Sequence, residues 1–187
     1  MKEKSYYMAC LDLEGRSCLV VGAGSTGLEK AKGLLECGAR VTVVAPQALS
    51  ELDGLPIEWI RRSYRSSDLD GRFLVVAATS VASLNRRVFA DAEERGLLCN
   101  VVDAPELCSF ILPAVHREGP IALAVSTSGA SPVLAQRLRE SLGAQIRPEH
   151  AQLARRLREL RPWVKAHYPT YEQRRDFFRQ LVERELA

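Results

Sequence analysis

One six-residue stretch, Gly22-Ala23-Gly24-Ser25-Thr26-Gly27, limits the folding options of this chain more than any other. It follows a short β-branched run, Cys18-Leu19-Val20-Val21. It precedes Leu28, Ala31, Leu34 and Leu35, which recur at helical spacing as far as Gly38. A strand, a G-x-G-x-x-G turn and a helix in that order form the fingerprint of a dinucleotide-binding βαβ unit. The first glycine permits the tight turn. The second keeps the backbone bare for a diphosphate, and the third lets the helix approach the strand. Free N–H groups of the first helical turn then meet the negative charge. Glycines that serve packing alone would read the same, so the context carries the inference.

The next segments continue the pattern. Val41–Val44, Ile57–Ile60, Phe73–Ala77 and Cys99–Val102 read as strands, and Val81, Leu84, Val88 and Ala92 mark a helix that Gly96 stops. Phe73–Ala77 is an unbroken apolar run, as expected of a strand buried on both faces. Alternating strands and helices imply a doubly wound α/β fold with a parallel sheet. After Pro113 the pattern changes. Two strand-like runs flank Glu118-Gly119-Pro120, a hairpin signature. Ser131-Pro132 opens a helix as N-cap and first helical residue, and beyond Pro148 the chain reads as all-helical, with a capping box at Thr170-Tyr171-Glu172-Gln173. The expected domains are 1–113, dinucleotide-binding; 114–147, a small β-hairpin/helix region; and 148–187, helical. Residues 114–187 look too simple to fold alone and are expected to pack on a partner subunit.

Composition narrows the function classes. With 187 residues, 47% hydrophobic and 26% charged, the chain is globular and long enough to bury a core without disulfides. No apolar run approaches a membrane span, and Met1–Tyr7 lacks the apolar stretch of a secretory signal, so the expected location is cytoplasmic. The net charge of +3 is too mild to require nucleic acid, although residues 151–187 hold 9 Lys/Arg against 5 Asp/Glu. Apolar faces on those helices explain the tail as core packing, so no nucleic-acid partner is expected. The five cysteines are odd in number and form no C-x-x-C, which suits reduced, mostly buried thiols. His116, His150 and His167 lack metal-ligand spacing, so no metal site is expected.

Ligands of open parallel sheets sit beyond the carboxyl ends of the strands. The candidate cofactor contacts are therefore Gly22, Gly24, Ser25, Thr26 and Gly27, with Ala45, Pro46 and Gln47 after the second strand. Ala78 and Thr79 follow the fourth strand, and Asn100 lies on the fifth. No acid stands near Ala45–Gln47 to hold a ribose, so backbone groups of Ala45 and Gln47 would hold it. No cation stands there either, the next being Arg61. The missing cation argues for NAD over NADP; the missing acid weakens that preference. Asp103 lies where a nicotinamide and its substrate would meet. An Asp turn ahead of Pro105 explains the same residue at least as well.

Taken together, Gly22–Gly27, Asn100-Val101-Val102-Asp103-Ala104-Pro105, Ser109-Phe110-Ile111-Leu112-Pro113 and the run Ala124–Ala135 resemble the precorrin-2 dehydrogenase family, the N-terminal module of siroheme synthases. The resemblance spans essentially the whole chain. It implies a Rossmann domain, a dimerisation region with exchanged elements and a helical C-terminal domain, working as a homodimer in a stand-alone form. It also implies NAD-dependent oxidation of precorrin-2 to sirohydrochlorin, with ferrous iron inserted by some members. Asp103 matches the family aspartate implicated in both steps. Ser109, Thr127, Ser128, Ser131 and Arg137 become candidate partners of the substrate's carboxylates. Some relatives carry serine where Thr127 stands, and the hydroxyl is kept. A rival class remains: a nucleotide-sensing regulatory domain would carry the same glycine turn without catalysis.

Overall fold

Five short apolar runs pair side by side and bury a core on each face of the sheet they form. In this computed structural model, which describes residues 5–186, they are β1 (Ser17–Val21), β2 (Arg40–Val44), β3 (Glu58–Ile60), β4 (Leu74–Ala77) and β5 (Leu98–Val101). Met1–Lys4, the start of the segment read above for signal character, and Ala187 lie outside the described residues. All pairings are parallel, in the order β3-β2-β1-β4-β5. The chain turns back at β1, so the strand order reverses between β1 and β4.

Alternation along each strand builds two cores. Cys18 and Val20 of β1, with Leu74 and Val76 of β4, face α1 (Ser25–Glu36) through Leu28 and Ala31. Leu19 and Val21, with Val75 and Ala77, face α2 (Ala82–Glu93) through Val88 and Ala92. Period-two side-chain placement puts neighbours on opposite faces. Each fully buried Val or Leu contributes about 1.5–3 kcal/mol, and Leu19, Val20, Val21, Leu74, Val75 and Val76 all qualify. Strand–helix alternation is incomplete, however. The β2–β3 and β3–β4 crossovers carry only 3₁₀ turns, Ser50–Leu52 and Ser66–Leu69. The β2–β3 segment is broken by Pro46, Gly54 and Pro56, and the β3–β4 segment, residues 61–73, is mostly polar, with no apolar period to support a helix.

The chain divides into two compact units, Met1–Ile111 and Leu112–Ala187. In the second, β6 (Ala114–Glu118) and β7 (Ile121–Val125) form an antiparallel hairpin around Gly119, which takes φ 54°. α3 (Pro132–Gly143) packs on it, close enough that a Cβ on Gly143 would touch the His116 ring. Its N-cap is Ser131, whose hydroxyl accepts from the Leu134 N–H at 3.2 Å. α4 (Pro148–His167) and α5 (Tyr171–Leu186) follow. Thr170 and Gln173 exchange reciprocal side chain–backbone bonds of 3.3 Å across the start of α5, the capping box read from sequence. Trp163, Tyr168, Phe177 and Phe178 meet in tilted and edge-to-face ring contacts between the two helices.

Candidate functional site

The reversal between β1 and β4 opens a cleft of about 600 Å³ at the carboxyl edge of the sheet. Four strand ends contribute to its lining: Gly22–Thr26 after β1, Ala45–Gln47 after β2, Ala78–Val81 after β4, and Val102–Asp103 after β5. Strand spacing makes the row from β2 to β5 about 14 Å long. Val21, Val44, Ser63, Tyr64 and Leu84 complete the lining. Among these residues Asp103 is the one charged side chain.

The glycines divide the work as their spacing implies. Gly22 takes φ 105°, and a Cβ there would collide with the Ala78 carbonyl. A Cβ on Gly27 would collide with the Gly22 carbonyl, so this position is reserved for close packing of α1 on the turn. Gly24 meets nothing within 4 Å. Its bareness serves no internal contact and faces open space. Gly24 is also the N-cap of α1, with no side-chain cap and no acid in the first turn. The free N–H groups of Ser25, Thr26 and Gly27 therefore present the positive end of the helix. These residues fit a diphosphate.

Around that turn the structure adds partners the sequence did not reveal. Asn85, buried, clamps Thr79 from both sides: its Oδ1 accepts from the Thr79 hydroxyl at 2.6 Å and its Nδ2 donates to the Thr79 carbonyl at 2.9 Å. Thr79 thus serves the shape of the loop after β4. Tyr64, 5% exposed, donates to Asp91 at 2.9 Å. Burial and that carboxylate raise its phenol pKa, so Tyr64 enters the cleft as a neutral group. After β2, both backbone groups of Ala45 are engaged. Its N–H donates to the Ile60 carbonyl at 3.2 Å, and its own carbonyl accepts from the Trp59 indole at 3.0 Å. Pro46 has no N–H, which leaves Gln47 as the residue of this stretch with donors to offer. Arg61, the nearest cation in sequence, stacks on Trp59 at 4.1 Å and does not line the cleft.

Asp103 takes φ 59° and is exposed at the cleft. Asn100 is 8% exposed and does not line it; its amide donates to the Phe110 carbonyl at 3.0 Å. Ser109 is likewise engaged elsewhere. Its hydroxyl accepts from the Cys99 N–H at 2.7 Å and donates to the Cys99 carbonyl at 3.2 Å, along the outer edge of β5. In the second unit, Thr127, Ser128 and Ser131 come together in the loop before α3. The Thr127 hydroxyl accepts from the Ser131 N–H and donates to its carbonyl, both at 3.0 Å. Ser128 takes φ 54°, and Arg137 is exposed on α3.

Other candidate groups have structural partners. Burial pushes the thiols of Cys18 and Cys99 up to about 11 and about 12, so neither is a thiolate at neutral pH. His150 accepts from the Arg147 N–H at 2.9 Å at the start of α4, and His167 stacks on Trp163 at 4.2 Å. A second cleft of about 530 Å³ lies at the amino edge of the sheet. Its polar groups pair with one another: Arg72 donates to Ser17 and Thr42, and Thr42 donates to Glu58.

Fold and cleft together define a dinucleotide-binding protein of the doubly wound class. Three family models match in succession: "Putative NAD(P)-binding" over residues 9–114, sirohaem biosynthesis protein central over 118–145, and sirohaem synthase dimerisation region over 150–187. The chain belongs to this NAD(P)-binding family, in the form that carries the sirohaem synthase central and dimerisation regions. It is 42% identical over 181 residues to a siroheme synthase of Ectopseudomonas mendocina, covering 94% of this chain and 38% of that protein. With a siroheme synthase of Pseudomonas entomophila the identity is 44% over 184 residues, covering 94% and 40%. The chain thus spans about two fifths of the length of the curated relatives it matches. Among solved structures, SirC, a precorrin-2 dehydrogenase, superposes with a TM-score of 0.81 at 29% identity, covering 97% of this chain and 93% of that one. No helix among the described residues is long and apolar enough to cross a membrane.

Proposed function

We propose that this chain is an NAD-dependent precorrin-2 dehydrogenase of siroheme biosynthesis, oxidising precorrin-2 to sirohydrochlorin. The observation that carries the reading is the cleft's single charged side chain. Asp103, on the end of β5, stands two strands from a bare glycine turn that fits a diphosphate. The whole-length likeness to SirC supplies the substrate class.

NAD, when bound, supplies the nicotinamide that accepts the hydride. The reaction removes a hydride and a proton from the reduced macrocycle and yields NADH. The chain's own residues do the rest. The α1 N–H groups and Gly24 hold the diphosphate. Gln47 offers the polar groups at the ribose, and a cleft lining without Lys or Arg favours NAD over NADP. Asp103 takes the proton, and its exposure leaves it free to pass that proton to solvent. Thr127, Ser128, Ser131 and Arg137 are assigned to the substrate's carboxylates. Asn100 and Ser109 are assigned to holding the segment beside β5 rather than to direct contact.

The proposal extends to ferrous iron insertion as a second step, in which Asp103, having returned the first proton to solvent, takes the two pyrrole protons one at a time and passes each to solvent. Residues 1–113 are assigned to cofactor binding, 114–147 and 148–187 to a homodimer, and the working protein to the cytoplasm. The decisive experiment supplies precorrin-2 and NAD, follows sirohydrochlorin and NADH, then adds ferrous iron. Asp103→Ala should lower NADH production by about a hundredfold or more while NADH still binds. Normal turnover in that variant would sink the assignment of Asp103. Cofactor binding with no oxidation by the unaltered chain would favour a nucleotide-sensing role instead.

A further inference from the structure

We propose that the Cys108 thiol is a positioning residue for Asp103, clamping the turn that carries the proton acceptor; this rests on the role given to Asp103 above. Asp103 sits at φ 59°, a left-handed conformation that non-glycine residues keep only when their surroundings impose it. The turn's own backbone supplies one bond, from the Ala104 N–H to the Val101 carbonyl at 3.3 Å. The Val102 N–H is held by the Ala77 carbonyl at 3.0 Å and the Ala104 carbonyl by the Leu107 N–H at 2.9 Å, and Cys108 adds bonds at both ends of the turn. Its sulfur accepts from the Val101 N–H at 3.2 Å. Its single proton serves the carbonyls of Val101 at 3.2 Å and Ala104 at 3.3 Å. One side chain therefore grips the residues that flank Val102 and Asp103 on both sides.

The clamp is itself anchored. Ser109, the next residue, is locked to both backbone groups of Cys99, and Asn100 reaches Phe110 one residue further on. The short 3₁₀ turn Pro105–Leu107 between the turn and the clamp sets the return path. Cys108 is 6% exposed and lies in the apolar cluster with Val101 and Cys99. A buried apolar site needs a side chain of this size; it does not need one that both donates and accepts. Cysteine combines the volume of a small apolar residue with that two-way hydrogen bonding.

Two substitutions separate the clamp from simple core filling. Cys108→Val keeps an apolar side chain of similar size and removes every hydrogen bond. Cys108→Ser keeps a group that donates and accepts in a poorer apolar fit. Turnover with precorrin-2 and NAD, the KM for NAD, thermal melting and amide exchange at Val101 and Ala104 are measured in the full chain. The clamp predicts that Cys108→Val lowers kcat about tenfold or more, since small misplacements of a reacting group are costly. Its KM for NAD stays within about twofold and its Val101 amide exchanges faster, because the glycine turn is untouched. Cys108→Ser recovers most of the turnover even where its melting temperature is the lower of the two. Core filling predicts the reverse order of activity, and a valine variant with native kcat and native exchange overturns the clamp. Faster exchange with unchanged kcat overturns the role of Asp103 instead. Should the valine variant not fold, Cys108→Ala carries the same comparison against serine.

Discussion

Substituting Gly24 by aspartate should strengthen the fold and destroy cofactor binding. Gly24 is the N-cap of α1 with φ −75° and ψ −174°, values open to any residue, and a Cβ there would meet nothing within 4 Å. Aspartate is a better N-cap than glycine by a few tenths of a kcal/mol. Its charge at a helix N-terminus adds about 0.3–1 kcal/mol, and losing glycine's freedom in the unfolded chain adds about 0.4–1 kcal/mol. Melting should therefore hold or rise by about 2–5 °C. The same carboxylate occupies the N–H groups that a diphosphate needs, and it repels the phosphates. Like charges about 4–5 Å apart at an effective dielectric near 20 cost about 3–4 kcal/mol. NADH affinity should then fall at least about a hundredfold. Fluorescence titration of NADH beside a thermal melt measures both quantities. A well-folded Gly24→Asp protein that binds NADH as tightly as the unaltered chain refutes the diphosphate assignment.

Other substitutions give different signatures. Gly27→Ala puts a methyl 2.8 Å from the Gly22 carbonyl carbon and nearer still to its oxygen; this overpacking should cost about 1–3 kcal/mol in a denaturant melt. Asp68, 6% exposed, receives two bonds from Arg62 and one from the Arg65 N–H, and the Arg62 guanidinium holds its carboxyl below the usual range. Its stabilising contribution is therefore present above its unfolded pKa, near 4, and is lost as pH falls through the lower folded value. Asp68→Asn should lower the melting temperature at pH 7 and make much less difference at about pH 2–3; an equal loss at both would contradict the ion-pair account.

The sheet was legible because its strands are read one at a time. Cys18–Val21 and Phe73–Ala77 carry their own apolar signal, and the glycine turn is defined by neighbours in sequence. Partners set by folding were not legible. Tyr64 meets Asp91 across 27 positions, and the Trp59 indole reaches Ala45 across 14; neither pairing leaves a local pattern. That is why Ala45 read as a ribose holder although both its backbone groups are engaged. Ser109 and Asn100 show the same limit. A serine and an asparagine near a strand end suit ligand contact and edge pairing equally well on paper, and only the register of residues 108–110 along β5 assigns their hydrogen bonds. Asn85 sits six residues after Thr79, near enough to be found by asking which side chain caps a loop ahead of a helix.

The segment Cys108–Phe110 also closes one side of the sheet. β5 is an outermost strand, yet the N–H and carbonyl groups of Cys99 and Val101 that point outward already have takers. An unpaired rim would be a template for another chain's backbone, and so a route to aggregation. Here that rim is sealed by the same few residues that hold the turn carrying Asp103, so damage to the segment would expose sticky backbone and loosen that turn together.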